Sequence, residues 1–230
     1  MKIKWGALVT DGRNKIGGHV ASKNRGGSYL RTKVTPSNPQ TSYQTAVRSL
    51  FSYLSQAWRN LTFAQITSWN DAVSNFSTTD IFGDTRNPTG KNLYQKLNTN
   101  LINANSSVIS APPLPEGVPE VGQPTPTNTA TGQIVSIAYT ESPVPADTVY
   151  IVEATSPMTV SQGFTKNKFR TLAVLAAGDT TPYVATTDYA ARFGGFVLNQ
   201  YIHIRMKAIN TNTGEVTSTK ISKADAGRVV

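Results

Sequence analysis

Along residues 201–208 polar and apolar side chains alternate without a break. Ile202, Ile204, Met206 and Ala208 fall between Tyr201, His203, Arg205 and Lys207. A period of two belongs to an extended chain, because successive Cβ atoms leave a strand on opposite faces. This stretch therefore requires a half-buried antiparallel strand with one face on a core. The Asn210-Thr211-Asn212-Thr213-Gly214 run then turns the chain into a partner strand over residues 215–222. Further extended runs bounded by turn residues fall at 133–140, 148–154, 168–175 and 182–187, with 118–126 as a proline-limited edge strand. Seven short strands predict a two-sheet sandwich over residues 118–230, of immunoglobulin-like or fibronectin III-like architecture.

Upstream the period changes. Val47, Leu50, Phe51, Leu54 and Trp58 recur at spacings of three and four, which predicts a helix that opens at Asn38-Pro39. A second stripe, Ile66, Trp69, Val73 and Phe76, follows the capping-box sequence Thr62-Phe63-Ala64-Gln65. The short gap predicts a helical hairpin in which Val47, Phe51, Leu54 and Trp58 pack against Ile66, Trp69, Val73 and Phe76, with Trp58 meeting Trp69. Leu93, Leu97 and Leu101 predict a third helix after Asn87-Pro88-Thr89-Gly90. Six prolines between 111 and 128 read as a semi-rigid linker and the domain boundary. The expected fold is thus α+β in two parts. A basic glycine-rich arm or β-meander occupies 1–37, a helical segment 38–110, the linker and edge strand 111–128, and the all-β sandwich 118–230.

The net charge of +9 is unevenly placed. Residues 1–50 hold nine Lys and Arg against Asp11 alone, residues 51–110 are close to neutral, and residues 111–230 balance. Neither folding nor solubility requires such segregation, so the arm, through Lys2, Lys4, Arg13, Lys15, Lys23, Arg25, Arg31 and Lys33, is expected to meet an anionic neighbour. A meander so short and polar buries too little to order itself, and its shape is expected to be set by what it adheres to.

Other chemistries find little footing. Cysteine is absent, which removes disulfides, thiolate catalysis and cysteine-bound metal. Gly12-Arg13-Asn14-Lys15-Ile16-Gly17-Gly18 spaces its glycines like a phosphate loop, yet Gly18 and His19 stand where Lys and Ser/Thr are needed, so a flexible hairpin tip is the better reading. The two histidines, His19 and His203, have no catalytic partner nearby in sequence. Asp80, Asp84 and Asn87 lack the closing Glu of a calcium loop and are expected to cap a turn. No enzymatic activity, cofactor, metal site or small-molecule substrate is expected. The apolar stretch before Asp11 is too short for a signal-peptide core, and no later run approaches a membrane span.

Gly17-Gly18-His19-Val20-Ala21-Ser22-Lys23-Asn24-Arg25-Gly26-Gly27-Ser28-Tyr29-Leu30-Arg31, continued by Pro36-Ser37-Asn38-Pro39-Gln40-Thr41, Gln44 and Arg48, resembles a segment of bacteriophage and prophage virion proteins. Trp58-Arg59-Asn60-Leu61-Thr62 and Trp69-Asn70 belong to the same resemblance, which covers residues 5–102. The β unit resembles the immunoglobulin-like and fibronectin-like modules that phages append to such proteins. The resemblance implies a structural subunit of a tailed-phage particle, the crAss-like group included, in the head, the head–tail connector or the tail. Its partners would be other virion proteins, and its location the virion after synthesis in the host cytoplasm. Two readings from other classes stand beside it. One is a nucleic-acid-binding protein using the basic arm. The other is an adhesive or carbohydrate-binding sandwich with Tyr183, Tyr189, Phe193 and Phe196 as its platform.

Overall fold

The computed structural model describes residues 1–7, 11–35, 37–129, 134–159, 162, 165–195 and 200–225. Residues 8–10 of the expected β-meander lie outside them. Helices and antiparallel sheets form two compact units, one of Met1–Ser49 with Ser77–Asn87 and one of Leu50–Phe76 with Pro88–Val230. This division differs from the expected one, because residues 111–128 do not act as a boundary.

In the first unit, β1 (Asn14–Ile16), β2 (His19–Asn24) and β3 (Gly27–Thr32) form an antiparallel sheet in that order. The turn between β1 and β2 is Gly17-Gly18, with Gly17 at φ +56°, so the expected loose tip is a paired strand and a tight turn. Residues 1–3 run antiparallel along β3, with Ile3 N donating to Ser28 O and Leu30 N to Met1 O. A small hairpin, β4 (Thr78–Thr79) and β5 (Thr85–Arg86), completes the unit. The leader is therefore a paired meander, its β3 edge closed by residues 1–3 and its side chains tied to the 78–86 hairpin through Lys2 and Asp80.

Helix α1 (Ser42–Arg59) begins later than Asn38-Pro39 predicts. Thr41 takes the capping role, its Oγ1 accepting from Gln44 N, while Asn38 accepts from Arg48 Nη2. Helix α2 (Phe63–Asp71) opens on the predicted capping box, with Thr62 and Gln65 satisfying each other's backbone amides, and runs into a 3₁₀ turn over Ala72–Phe76. Helix α3 (Gly90–Asn103) is capped by Thr89. The third helix expected from Leu93, Leu97 and Leu101 closes the helical core, and the expected Trp58–Trp69 contact is replaced by one through it. Tyr94 of α3 stands between the two tryptophans, 5.3 Å from Trp58 and edge-on to Trp69 at 5.3 Å, and Leu54, Leu93 and Leu97 close around them. A third helix with an aromatic at its centre covers more apolar surface than two short helices can cover in each other.

The remaining elements are β6 (Thr125–Thr129), β7 (Ile134–Ala138), β8 (Thr148–Ala154), β9 (Arg170–Leu175), β10 (Tyr183–Val184), α4 (Thr186–Phe193), β11 (Tyr201–Asn210) and β12 (Lys220–Asp225). They form two antiparallel sheets, β10-β7-β6 and β12-β11-β8-β9, around one core. β11 alternates as predicted, with Ile202, Ile204, Met206 and Ala208 fully buried. The last strand is shorter than expected, since Val216 makes only an isolated bridge to Ile209 before β12 begins. Residues 182–187 give two strand residues and then α4, where Asp188 lies in the first turn and the rings of Tyr189 and Phe193, four residues apart, meet tilted at 5.0 Å.

β8 is buried at every position. Tyr150, Val152 and Ala154 face the sandwich core, and Val149 and Ile151 join Ile209 and Ala104, the residue that ends α3. Asn100 Nδ2 also donates to Gly214 O at 2.8 Å. The helical cluster is thus fastened to the outer face of the sheet. The proline-rich stretch is fastened too: Val121 is buried in the core, and Glu215 accepts from the amides of Glu116 and Gly117. Stiffness was readable from the prolines, whereas docking depended on partners about a hundred residues away.

Candidate functional site

Asp80 organises the first unit. Its side chain is 2% exposed and accepts from the amides of Phe82 and Asp84, as a turn-capping aspartate does. Arg86 Nη2 lies 3.0 Å from the same carboxylate and Lys2 Nζ 3.9 Å from it. Lys4 pairs with Asp84 at 3.1 Å and stands over the Phe82 ring. These groups, with Trp5, Lys23, Gly26 and Gly27, line an open hollow of about 390 Å³. The Arg86 guanidinium occupies the space a side chain would need at Gly26, so glycine there lets the β2–β3 turn meet β5.

Burial alone would raise the Asp80 pKa, but the two amides and the Arg86 guanidinium outweigh it and hold the carboxyl below its ordinary value of 3.8. A folded pKa below the unfolded one contributes stability above the unfolded value, and that contribution fades as pH falls through the folded value. The amide chemical shifts of Phe82 and Asp84 are therefore expected to stay flat from neutral pH down to about pH 4 and to move together below it. Asp80→Asn should abolish that joint transition, and a transition at or above pH 4 in the wild type would contradict the assignment.

The eight arm cations fall into two groups. Lys2, Lys4 and Arg13 are paired with Asp80, Asp84 and Asp11. Lys15, Lys23, Arg25, Arg31 and Lys33 are exposed and make no ion pair among the described residues. Ten Lys and Arg against three Asp leave the unit with a net charge of +7.

The predicted helical packing set also divides. Leu54 and Trp69 are fully buried, and Trp58, Val73 and Phe76 pack around them. Ile66 is half-buried. Val47 and Phe51 are not part of the core: they are 49% and 58% exposed, and Tyr43 is 67% exposed. Periodicity placed these side chains on one stripe correctly, but α1 carries that stripe beyond what its neighbours cover. Of the proposed aromatic platform, Tyr189 is core, with its hydroxyl donating to Thr155 O, Phe193 packs against it, and Tyr183 is half-buried and bonded to Asp188. Phe196 lies outside the described residues. No group of three His, Asp or Glu suited to a metal ion occurs among the described residues, and no helix there is long and apolar enough to cross a membrane.

No protein-family profile matches the chain, and no curated protein is significantly similar to it. Among solved structures, an Fn3-like protein from Clostridium thermocellum aligns with 47% of this chain and 91% of its own, at 13% identity and a TM-score of 0.30. At that level the similarity carries no weight beside the strand order.

Proposed function

We propose that this chain is a non-enzymatic structural subunit of a multi-copy assembly, a phage particle by the resemblance of residues 5–102, and that its sandwich is a fibronectin III-like module. The module reading rests on strand order. Taken in sequence, the first, second and fifth strands make one sheet and the third, fourth, sixth and seventh the other. In the immunoglobulin constant arrangement the fourth strand pairs in the first sheet; here it has moved to the edge of the second.

The observation that carries the assembly role is the uncovered apolar stripe of α1. Tyr43, Val47 and Phe51 recur every four residues and all stand in solvent. The helix holds only two charged side chains, Arg48 and Arg59, in 18 residues. A helix facing water on that side ordinarily carries charge there, and contiguous exposed apolar surface marks an interaction site. The occupant proposed is another copy of the chain, its own α1 stripe supplying the apolar partner. Because each copy carries the +7 unit, salt should strengthen the contact by screening repulsion.

Sedimentation velocity tests this directly. The wild type should form concentration-dependent oligomers that tighten as salt rises, and Val47→Glu with Phe51→Glu should return it to monomer with an unchanged circular-dichroism spectrum. A wild type that stays monomeric at its solubility limit would overturn the self-assembly reading.

A further inference from the structure

The sheet of the first unit sorts its cations by face. Residues opposite one another across an antiparallel ladder share a face, and so do residues two apart on a strand. Lys15 is opposite Val20, and Val20 is opposite Arg31. Lys33 extends the ladder beyond β3, its amide donating to Gly18 O, and stands two residues from Arg31. Lys15, Arg31 and Lys33 therefore lie on one side of the sheet, about 7–12 Å apart at the backbone. All three are exposed, and none has a carboxylate partner among the described residues.

We propose that this face binds the sugar-phosphate backbone of duplex nucleic acid, with Lys15, Arg31 and Lys33 each neutralising a phosphate. Charge complementarity carries the choice of partner, since the unit is strongly positive and these three cations are not spent internally. The shape of the face chooses among nucleic acids. Its three cations stand on the ladder of a three-stranded sheet and not on a helix or ribbon that could enter a groove, so it follows the backbone and carries no base readout. Tyr29 shares the face but is half-buried between Ser22 and the chain at Lys2, so it offers no free ring on which unpaired bases could stack. A duplex, with about one charge per 1.7 Å of axis, presents phosphates densely enough for three cations on a small face. The proposal does not depend on the α1 stripe or on oligomer formation.

Fluorescence anisotropy with the full chain and a labelled random-sequence duplex tests it. Three neutralised phosphates give a slope of about −2.7 in log affinity against log salt, so raising salt fourfold should weaken binding about 40-fold. Lys15→Glu, Arg31→Glu and Lys33→Glu together should abolish measurable binding at moderate salt. A control with Lys91→Glu, Lys96→Glu and Lys166→Glu removes the same net charge from exposed sites of the other unit. It should lose less than about threefold, since an exposed charge outside the binding face acts only through a screened field. Circular dichroism checks that both variants fold, and Arg31→Gln alone, a milder change, should lower the slope by about one unit. Equal losses in the two triple variants would overturn the site, leaving only diffuse attraction. Polyglutamate binding as tightly as the duplex would overturn the nucleic-acid assignment in favour of an acidic protein surface. Tighter binding to a single strand of the same length would overturn the duplex assignment.

Discussion

Trp69→Ala is expected to destabilise the second unit by about 4 kcal/mol, the largest effect of any single truncation in its helical cluster. Trp69 is fully buried, and its indole is the edge-on partner of Tyr94 at 5.3 Å. Removing it opens a cavity among Leu54 of α1 and Leu93 and Leu97 of α3, side chains held on two separate helices that cannot all move inward together. Two smaller losses add to this: the aromatic contact, worth about 1 kcal/mol, and the bond from Nε1 to Ser110 O, which leaves a carbonyl without its donor. For a unit of this size the change corresponds to a fall in Tm of about 8–16 °C. Trp69→Phe separates the terms, since it retains most of the ring contact and loses the donor, and should cost about 1–2 kcal/mol. Val47→Ala, on the exposed part of α1, should stay within about 0.5 kcal/mol of the wild type. Urea titrations followed by far-ultraviolet circular dichroism give all three values. Equal effects at Trp69 and Val47 would remove the distinction drawn between core and docking stripe.

The contrast between those two residues shows what the sequence could reveal. Val47, Leu54, Trp58 and Trp69 all sit on clean helical stripes, and period identifies which residues share a face. It says nothing about how far along the helix that face is covered, so Val47 and Leu54 look alike until the neighbours are placed. Local chemistry is legible: the Thr62 capping box, the Thr89 start of α3 and the alternation of β11 each depend on residues within one turn or one strand. Helix α4 was hidden because Thr186 and Thr187 continue the β-branched character of the preceding strand, and only Asp188 and the Tyr189–Phe193 spacing mark a helix. The Asp80 centre was hidden for a different reason. A turn-capping aspartate is legible on its own, but its links to Lys2 and across to the Gly26 turn join segments that no window brings together. The same limit applies to charge. Composition showed that the leader is basic, whereas only the register separates the cations consumed by Asp11, Asp80 and Asp84 from those on the open face.

Gly214→Ala should be the second large effect, destabilising the second unit by about 2–4 kcal/mol through two separable causes. Gly214 sits at φ +73° in the turn after β11, where an L-residue pays about 1 kcal/mol or more for the left-handed conformation. In addition, a Cβ at this position would stand 2.5 Å from the carbonyl oxygen of Leu97, on the backbone of α3. That oxygen cannot yield as a side chain would, because α3 is held in place by its buried leucines and by the bond from Asn100 to the Gly214 carbonyl. Gly178→Ala supplies the comparison. Gly178 has φ +90° and nothing within 4 Å of its would-be Cβ, so it bears the conformational cost alone, about 1 kcal/mol. The excess at Gly214 over Gly178 then measures how tightly the helical cluster is seated on the sandwich. An excess of about 1–3 kcal/mol is expected from urea denaturation of the two variants side by side, the range for overpacking against fixed backbone. If they lose stability equally, α3 can lift away from the β11–β12 turn at no cost, and the helices and the sandwich do not form one cooperative unit.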